Sequence, residues 1–121
     1  MTTAEVQRDR LAAARELADR YGAVIVLKGS GSIVAAPGCV PRINASGNAA
    51  LATAGTGDVL AGWIGGRWAC AAGSASMPDA VGLAMTIVVR AVGEHGAAAE
   101  PPPPGPLRAN DLIEALYRAA V

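Results

Sequence analysis

A short aliphatic run, AVIVLKG at 23–29, constrains the fold of this 121-residue chain more than any other segment. A continuous β-branched run of this length is typical of a strand that is buried on both faces in a parallel sheet. It follows an amphipathic helical pattern over 4–20, which Gly22 ends. A helix followed by such a strand forms half of a βαβ unit. The sequence therefore predicts an α/β fold, with an earlier strand upstream of residue 4.

The middle of the chain continues with extended and then helical segments. Residues 32–38 and 40–44 are extended and meet at Pro37-Gly38, which favours a hairpin. A helical pattern then covers about 56–72. The sequence thus predicts a hairpin that leads into a long helix.

Two further helices are predicted in the C-terminal third. A hydroxyl cap at Ser76, followed by a proline and an acid, predicts a helix that reaches about Glu94. The segment PPPPGP at 101–106 cannot be helical and is typical of a stiff connector. Asn110 and Asp111 are expected to cap a final amphipathic helix.

The charge and cysteine patterns exclude several classes of protein. Ten basic and ten acidic residues cancel, so the chain lacks the basic excess that binding to nucleic acid or an anionic membrane requires. No apolar run is long enough to cross a bilayer, and the N-terminus has no apolar signal core. Cys39 and Cys70 form no metal-type or disulfide pattern. These features predict a reduced, cytoplasmic setting with no membrane or nucleic-acid partner.

The predicted core is thin. Hydrophobic residues make up 52% of the chain, but many are alanine, and aromatic residues make up only 3%. Stabilisation follows the apolar area that is buried, and alanine buries little. We therefore expect a homo-oligomer or association with a complementary N-terminal chain.

The glycine-rich segment before the long helix predicts an anion site. The first N–H groups of a helix have no partner inside it, and the helix dipole adds partial positive charge there. Glycines let a ligand approach this backbone closely. Gly55, Thr56 and Gly57 are therefore candidates for an anion hole that holds a phosphate. The segment is not a Walker loop, because no Gly-Lys-Ser/Thr follows.

The single acid at this turn, Asp58, has two interpretations. A carboxylate beside a phosphoryl site can take the proton of an attacking hydroxyl. The alternative is that Asp58 only caps the helix and complements its dipole. The residue types alone do not separate these two roles.

A second glycine-rich cluster, KGSGS, follows the predicted buried strand. Ligands of open α/β sheets bind beyond the carboxyl ends of the strands. Lys28, the only lysine, could meet a phosphate or ribose, and the segment could let a nucleotide lie against the backbone. The alternative is a tight turn with a solvated lysine. Asn44 and Asn48 are likewise either turn formers or polar contacts near a metal-bound phosphate.

Three segments together resemble one enzyme family. They are VLKGSGS at 26–32, INASGNAALATAGTGDVLAGWIGG at 43–66 and ANDLI at 109–113. In this order they resemble the ADP- or ATP-dependent NAD(P)H-hydrate dehydratases, which have a ribokinase-like (carbohydrate-kinase) fold. The resemblance runs from the first helix to the last. It implies the C-terminal part of a three-layer αβα fold, with a short parallel-sheet strand, a hairpin and three to four helices.

The resemblance also implies a reaction and a set of roles. The reaction is a lyase-type metabolite repair of hydrated NADH or NADPH (NADHX and NADPHX), in which ADP or ATP phosphorylates the ring hydroxyl and phosphate is then eliminated. Mg²⁺ bridges the phosphates and is held mainly by the nucleotide and water, so no residue is named as a metal ligand. The roles implied for individual residues are a catalytic base and substrate contact at Asp58, an anion hole at Gly55, Thr56 and Gly57, nucleotide contacts at Lys28, Gly29, Ser30, Gly31, Ser32 and Gly57, and substrate contacts at Asn44 and Asn48.

The chain departs from the family pattern in two places. Family members carry a long N-terminal part before the segment that matches 4–20, so residues 1–121 are predicted to be a single partial domain. A histidine is usual in the helix after the glycine-rich turn. Arg90 occupies the position expected for it. His95, slightly later and beside Gly96, could substitute for that histidine, but the preferred interpretation is a surface residue.

Three hypotheses about function remain open at this point. The first is a dehydratase-family polypeptide, truncated or half of a split enzyme, that keeps the phosphate-side chemistry. The second is a small-molecule kinase of the same fold, which needs the same base and anion hole. The third is an inactive remnant that binds nucleotide or partner chains.

Overall fold

The computed structural model describes residues 1–72, 79–100 and 105–120. Five α-helices, three short strands and one 3-10 turn lie in these ranges. In chain order they are α1 (Thr3–Arg8), α2 (Arg10–Tyr21), β1 (Ile25–Leu27), β2 (Ile33–Ala35), β3 (Arg42–Ile43), the 3-10 turn (Ala49–Leu51), α3 (Thr56–Ala72), α4 (Ala80–Ala98) and α5 (Ala109–Ala120). The predicted cap at Ser76 and the proline run at 101–104 lie outside the described residues.

The single helix predicted over 4–20 is in fact two helices. Asp9 leaves the helical conformation, and its side chain accepts a hydrogen bond from the Ala12 N–H at 2.9 Å, which caps α2. A short acidic side chain competes with the backbone in this way at helix starts. Gly22 ends α2 as predicted, with a left-handed φ of 58°.

The three strands form one antiparallel sheet in the order β1-β2-β3. The hairpin between β2 and β3 is confirmed, with Ile33 opposite Ile43. The parallel pairing expected for β1 is not found among the described strands, because β1 pairs antiparallel with β2, Val26 lying opposite Val34. Only five residues connect β1 to β2, and a parallel pair needs a much longer crossover.

The sheet lies between two helical layers, which confirms the three-layer αβα arrangement. Ala14 and Ala18 of α2 pack on one face, against Ile33 and Ala35. The opposite face carries Val34, which packs with residues of α3 and α4: Leu60, Met85, Val88 and Val92. Alternate strand residues therefore enter different layers, which explains why the aliphatic run shows no polar alternation.

The two C-terminal helices differ from their predictions at the ends. Asp79 caps α4 by accepting a hydrogen bond from the Gly82 N–H at 2.8 Å, and the helix runs four residues beyond Glu94, to Ala98. Helix α5 begins at Ala109, so Asp111 lies within its first turn rather than before it. The carboxylate of Asp111 still caps the start of α5, by accepting a hydrogen bond from the Arg108 N–H at 2.9 Å, and it also pairs with the Arg108 guanidinium at 2.7 Å.

The core is built mainly from small side chains. Of the side chains buried almost completely in the described ranges, Leu112 and Val34 are the largest. Leu112 belongs to a separate cluster with Ala99, Leu107 and Leu116, which holds α5 against the end of α4. None of the helices in the described ranges has the length and apolar character needed to span a membrane.

Candidate active site

One pocket of about 720 Å³ lies where the loop after β1, the segment before the 3-10 turn, the start of α3 and the end of α4 come together. Its walls are formed by two glycine-containing segments and five residues of helices α3 and α4. The lining residues are Lys28, Gly29, Ser30, Gly31, Ser32, Asn44, Ala45, Ser46, Gly47, Asn48, Ala49, Leu51, Ala52, Thr56, Leu60, Val92, His95 and Gly96.

This pocket gathers most of the residues that the sequence predicts for the site. All five KGSGS residues, both asparagines and Thr56 line it. Gly55, Gly57 and Asp58 are not among the lining residues, although they flank Thr56 in the chain. The predicted nucleotide segment and the start of the predicted anion hole are therefore brought together, with the predicted base beside them.

Arg10 of α2 holds the KGSGS loop through hydrogen bonds to backbone carbonyls. The Arg10 guanidinium donates to the carbonyl of Ser30 at 2.8 Å and to that of Leu27 at 3.1 Å. Two weaker contacts reach the carbonyls of Lys28 at 3.2 Å and Gly31 at 3.4 Å. Sequence reasoning missed this residue, because an arginine near a helix start gives no local signal of contacts about 20 residues further along the chain.

The segment before the 3-10 turn is tied to α4 by side-chain bonds. Ser46 Oγ lies 2.9 Å from the Gly93 carbonyl oxygen and 2.9 Å from Asn44 Oδ1. A Cβ at Gly96 would come within 2.8 Å of the Ser46 backbone, so only glycine allows α4 to approach this closely. The Ser46 hydroxyl thus fixes one wall of the pocket, a role that the sequence analysis missed.

The two asparagines of this segment line the pocket while their amides hold its backbone. Asn44 Nδ2 donates to the Ser46 carbonyl at 3.1 Å. Asn48 caps the 3-10 turn by accepting from the Ala50 N–H at 2.9 Å and donates to the Ala99 carbonyl at 3.1 Å. These bonds match the turn-forming interpretation. The substrate contacts remain a prediction.

The start of α3 presents free backbone donors. The Thr56 hydroxyl is buried and lies 2.7 Å from the Leu51 carbonyl oxygen and 2.9 Å from that of Thr53, which fixes the turn. The N–H groups of Gly57 and Asp58 donate to no atom of the described residues. A donor pair of this kind at a helix N-terminus suits an anion.

Lys28 lies directly over this turn. An added Cβ at Gly57 would overlap the Lys28 ammonium nitrogen, so the glycine provides the space that the lysine occupies. A cation and free N–H groups therefore meet at one point beside the pocket. The sequence predicted Lys28 and Gly57 for the same nucleotide site, and the structure brings them into contact.

The Asp58 carboxylate is exposed. It forms no hydrogen bond or ion pair with the described residues, so it does not cap α3 through its side chain. An unengaged carboxylate one residue beyond Gly57 is free to accept a proton or to contact a ligand. Its role as a base remains a prediction.

His95 is buried, so its interpretation as a surface residue is wrong. Its side chain is 6% exposed and lines the pocket, and its Nε2 lies 2.9 Å from the Thr56 carbonyl oxygen. Because a carbonyl only accepts, Nε2 carries a proton. Burial lowers the pKa of His95; the bond to Thr56 opposes this effect, and the nearby charge of Lys28 lowers the pKa further. His95 therefore ties the end of α4 to the glycine-rich turn at the start of α3.

Arg90 takes part in a surface cluster instead. Its Nε donates to Glu94 at 2.9 Å, and Arg67 and Trp63 of α3 donate to the same carboxylate at 2.7 and 2.8 Å. Burial alone would raise the pKa of Glu94, but the hydrogen bonds from Arg90, Arg67 and Trp63 outweigh it and lower that pKa. Arg90 does not line the pocket, and the cluster fastens α3 to α4.

The residues at the turn fit a magnesium ion that arrives with a nucleotide. Within the described ranges, no three His, Cys, Asp or Glu side chains converge to form a metal cage. Mg²⁺ often keeps several waters and binds through substrate phosphates with one or two carboxylates. The exposed Asp58 carboxylate is the acid closest in the chain to the free N–H groups, and no residue is assigned here as a ligand.

The layered α/β fold, with its glycine-rich pocket at the start of a helix, defines a ribokinase-like domain. The solved ADP/ATP-dependent NAD(P)H-hydrate dehydratase from Bacillus subtilis, co-crystallised with ATP and Mg²⁺, superposes on it with a TM-score of 0.77. It is 36% identical and matches 96% of this chain. Residues 1–115 match the sequence model of the NAD(P)H-hydrate dehydratase family. The chain belongs to this family.

Two curated relatives are also similar. The ADP-dependent (S)-NAD(P)H-hydrate dehydratase of Neisseria meningitidis serogroup B is 55% identical over 64 residues, which is 53% of this chain. The bifunctional NAD(P)H-hydrate repair enzyme of Mycobacterium leprae is 41% identical over 95 residues, which is 78% of this chain. The matches span 22% and 19% of those relatives and 40% of the B. subtilis chain.

Proposed function

We propose that this chain carries the nucleotide-binding and phosphoryl-transfer part of an NAD(P)H-hydrate dehydratase, which repairs hydrated NADH or NADPH with ADP or ATP. The observation that carries the proposal is the meeting of three features at one turn: the free N–H groups of Gly57 and Asp58, the Lys28 ammonium group above them, and the unengaged Asp58 carboxylate. The family membership supports the same reaction.

The nucleotide is assigned to the pocket side of this turn. Lys28, Gly29, Ser30, Gly31 and Ser32 would contact it. Lys28 would neutralise phosphate charge as a compact point charge. Gly55, Thr56 and Gly57 would form the anion hole around the transferred phosphoryl group at the start of α3. The free N–H of Gly57 would donate to it, whereas the Thr56 N–H donates to the Thr53 carbonyl at 3.4 Å and would have to exchange that bond. When bound, Mg²⁺ would supply further neutralisation of the phosphates.

Asp58 is proposed to act on the hydroxyl of the hydrated nicotinamide ring. It would take the hydroxyl proton as the oxygen bonds to the terminal phosphorus and the bond from that phosphorus to the nucleotide breaks. Loss of phosphate from the ring carbon, with loss of a proton from the neighbouring carbon, restores the double bond. Asn44 and Asn48, which line the pocket, are proposed as substrate contacts.

Three further assignments stay proposals. The chain is proposed to act as a single partial domain over 1–121 and to associate with a second copy or with a complementary N-terminal chain. The small buried side chains favour such association, because they bury little apolar area. A cytoplasmic location is proposed as well.

The test is turnover by the chain and by its Asp58→Asn variant. With hydrated NADH, ADP or ATP and Mg²⁺, we expect nicotinamide absorbance to return. The variant should be slower by about 10²- to 10⁴-fold, as is usual for loss of a general base. Asp19→Asn, which changes an exposed acid of α2, is the matched control and should keep full activity.

Three outcomes would contradict the proposal. Equal turnover by Asp58→Asn and the wild type would remove the carboxylate from the mechanism. A phosphorylated ring that accumulates without recovery of absorbance would favour the small-molecule kinase. Nucleotide binding without any turnover would favour a nucleotide-binding remnant. Asp58 lies beside the pocket and not in its wall. This observation is why the nucleotide-binding remnant is retained as a second candidate.

A further inference from the structure

The guanidinium of Arg10 is surrounded by backbone carbonyls rather than by acids. It contacts the carbonyl oxygens of Leu27, Lys28, Ser30 and Gly31 at 2.8 to 3.4 Å. It forms no salt bridge with a carboxylate of the described residues. Its charge is therefore balanced only by carbonyl dipoles and stays available to attract an anion to this loop.

These contacts fix the direction of the loop's peptide groups. A trans peptide is planar, so its C=O and the N–H of the next residue point in opposite directions. With the carbonyls of Ser30 and Gly31 turned toward Arg10, the N–H groups of Gly31 and Ser32 are directed away from it. Neither N–H donates to an atom of the described residues, and both residues line the pocket.

The conformation of Gly31 makes this arrangement possible. Its φ is +65°, in the left-handed region that favours glycine. A left-handed residue in such a turn lets successive N–H groups face one concave side, where they can bind an anion. The loop therefore offers a second set of backbone donors, separate from the one at the start of α3.

We propose that Arg10 is a positioning residue that holds the KGSGS loop with the N–H groups of Gly31 and Ser32 turned toward a phosphate of the bound nucleotide. This inference rests on the proposed function. Arg10 acts through the loop and does not itself contact the nucleotide. Arg10 approaches Gly29 closely: an added Cβ there would lie 2.8 Å from Nη2, so a side chain at this position would displace the guanidinium.

An arginine is required for this role and a lysine is not a substitute. The guanidinium offers five N–H donors in a planar fork, whereas an ammonium group offers three donors at one point. Arg10→Lys keeps the charge and removes the fork. It therefore separates orientation of the loop from simple electrostatic attraction.

The experiment measures ADP binding by calorimetry for the full chain and for Arg10→Lys. We expect the variant to bind ADP at least about tenfold more weakly, since misdirected donors lose charge-assisted hydrogen bonds. Arg15→Lys, on an exposed position of the same helix, is the control and should bind as the wild type does. Equal binding by Arg10→Lys and the wild type would overturn the inference.

A second measurement needs no variant. In the wild-type chain, titration with ADP should shift the backbone amide resonances of Gly31 and Ser32, and adenosine, which lacks phosphate, should shift them much less. Unmoved amides, or equal shifts with adenosine, would overturn the role assigned to Arg10. A failure of the proposed function alone would give another pair of results. Arg10→Lys would still weaken ADP binding, but Asp58→Asn would have the same turnover as the wild type.

Discussion

At the scale of single residues, the burial of His95 gives the site a dependence on pH. The pKa of this histidine is lowered from 6.5, first by burial and also by the charge of Lys28. As the pH falls, His95 therefore binds a proton in the unfolded chain before it does so in the folded chain. The free energy of unfolding should consequently be constant above about pH 7.5 and fall as the pH drops toward about 5.5.

A comparison of the wild type with His95→Gln tests this dependence. Glutamine can still donate to the Thr56 carbonyl but has no proton to gain, so its unfolding free energy should be flat across the same range. Urea denaturation at several pH values gives both curves. Three acids, Glu5, Glu94 and Asp111, also have lowered pKa values, but their protonation destabilises the fold only at lower pH and does not interfere. Parallel slopes for the two proteins would refute the assignment to His95.

Sequence reasoning at this scale named candidate residues that lie in locally recognisable turns. Lys28, Thr56 and Gly57 were predicted because glycine-rich turns and helix starts have recognisable backbone chemistry. Arg10 and Ser46 were missed, and His95 was named but wrongly interpreted as a surface residue. Their contacts join residues 17 to 47 positions apart, and no local pattern indicates which side chain will cross such a distance.

At the scale of elements, caps decide where helices begin and end. The break between α1 and α2 at Asp9 was not predicted, because the amphipathic pattern continues through it. The carboxylate of Asp9 replaces a helical bond by accepting from the Ala12 N–H at 2.9 Å. The helix start is thus set by one side chain, while the apolar face of α2 is set by periodicity.

Asp9→Ala should therefore destabilise the protein by about 1 kcal/mol, the usual cost of losing a helix N-cap. Chemical denaturation monitored by circular dichroism measures the change. Asp19→Ala, near the other end of α2, is the control and should be neutral or slightly stabilising, because an acid there opposes the helix dipole. An unchanged midpoint for Asp9→Ala would show that the cap contributes nothing to the start of α2.

The pairing of strands is another property of elements that the sequence did not predict correctly. The aliphatic run predicted a strand buried on both faces in a parallel sheet. In the structure β1 packs against helices on both faces but is only half-buried, and its pairing within the described residues is antiparallel. Apolar character specifies the faces of a strand and not the direction of the partner at its edge. The short loop between β1 and β2 decides that β2 runs antiparallel.

At the scale of the whole molecule, the pocket joins all three layers. Its walls come from the loop after the sheet's first strand, which Arg10 of α2 supports, and from the start of α3 and the end of α4. A ligand in this pocket would therefore stabilise the complete fold, because unfolding of any layer would remove part of the site.

ADP should accordingly raise the melting temperature of the chain. A ligand at about 100 times its dissociation constant adds about 2.7 kcal/mol to the free energy of unfolding, which is large for a domain of this size. Differential scanning fluorimetry with ADP measures the shift. Adenosine is the control and should give a smaller one. An unchanged melting temperature with ADP would contradict nucleotide binding in the pocket.

The sequence by itself determined the α/β class, the main helices, the hairpin and the family, because these follow from hydrophobic period, turn chemistry and motif spacing along the chain. Only the tertiary structure decided the antiparallel pairing of β1, the burial of His95 and the hydrogen bonds from Arg10 to the carbonyls of the KGSGS loop. Each of these depends on which distant groups meet in space and satisfy one another's hydrogen bonds. Hydrophobic period and motif spacing describe residues that are close along the chain, whereas these contacts join residues that are far apart in it.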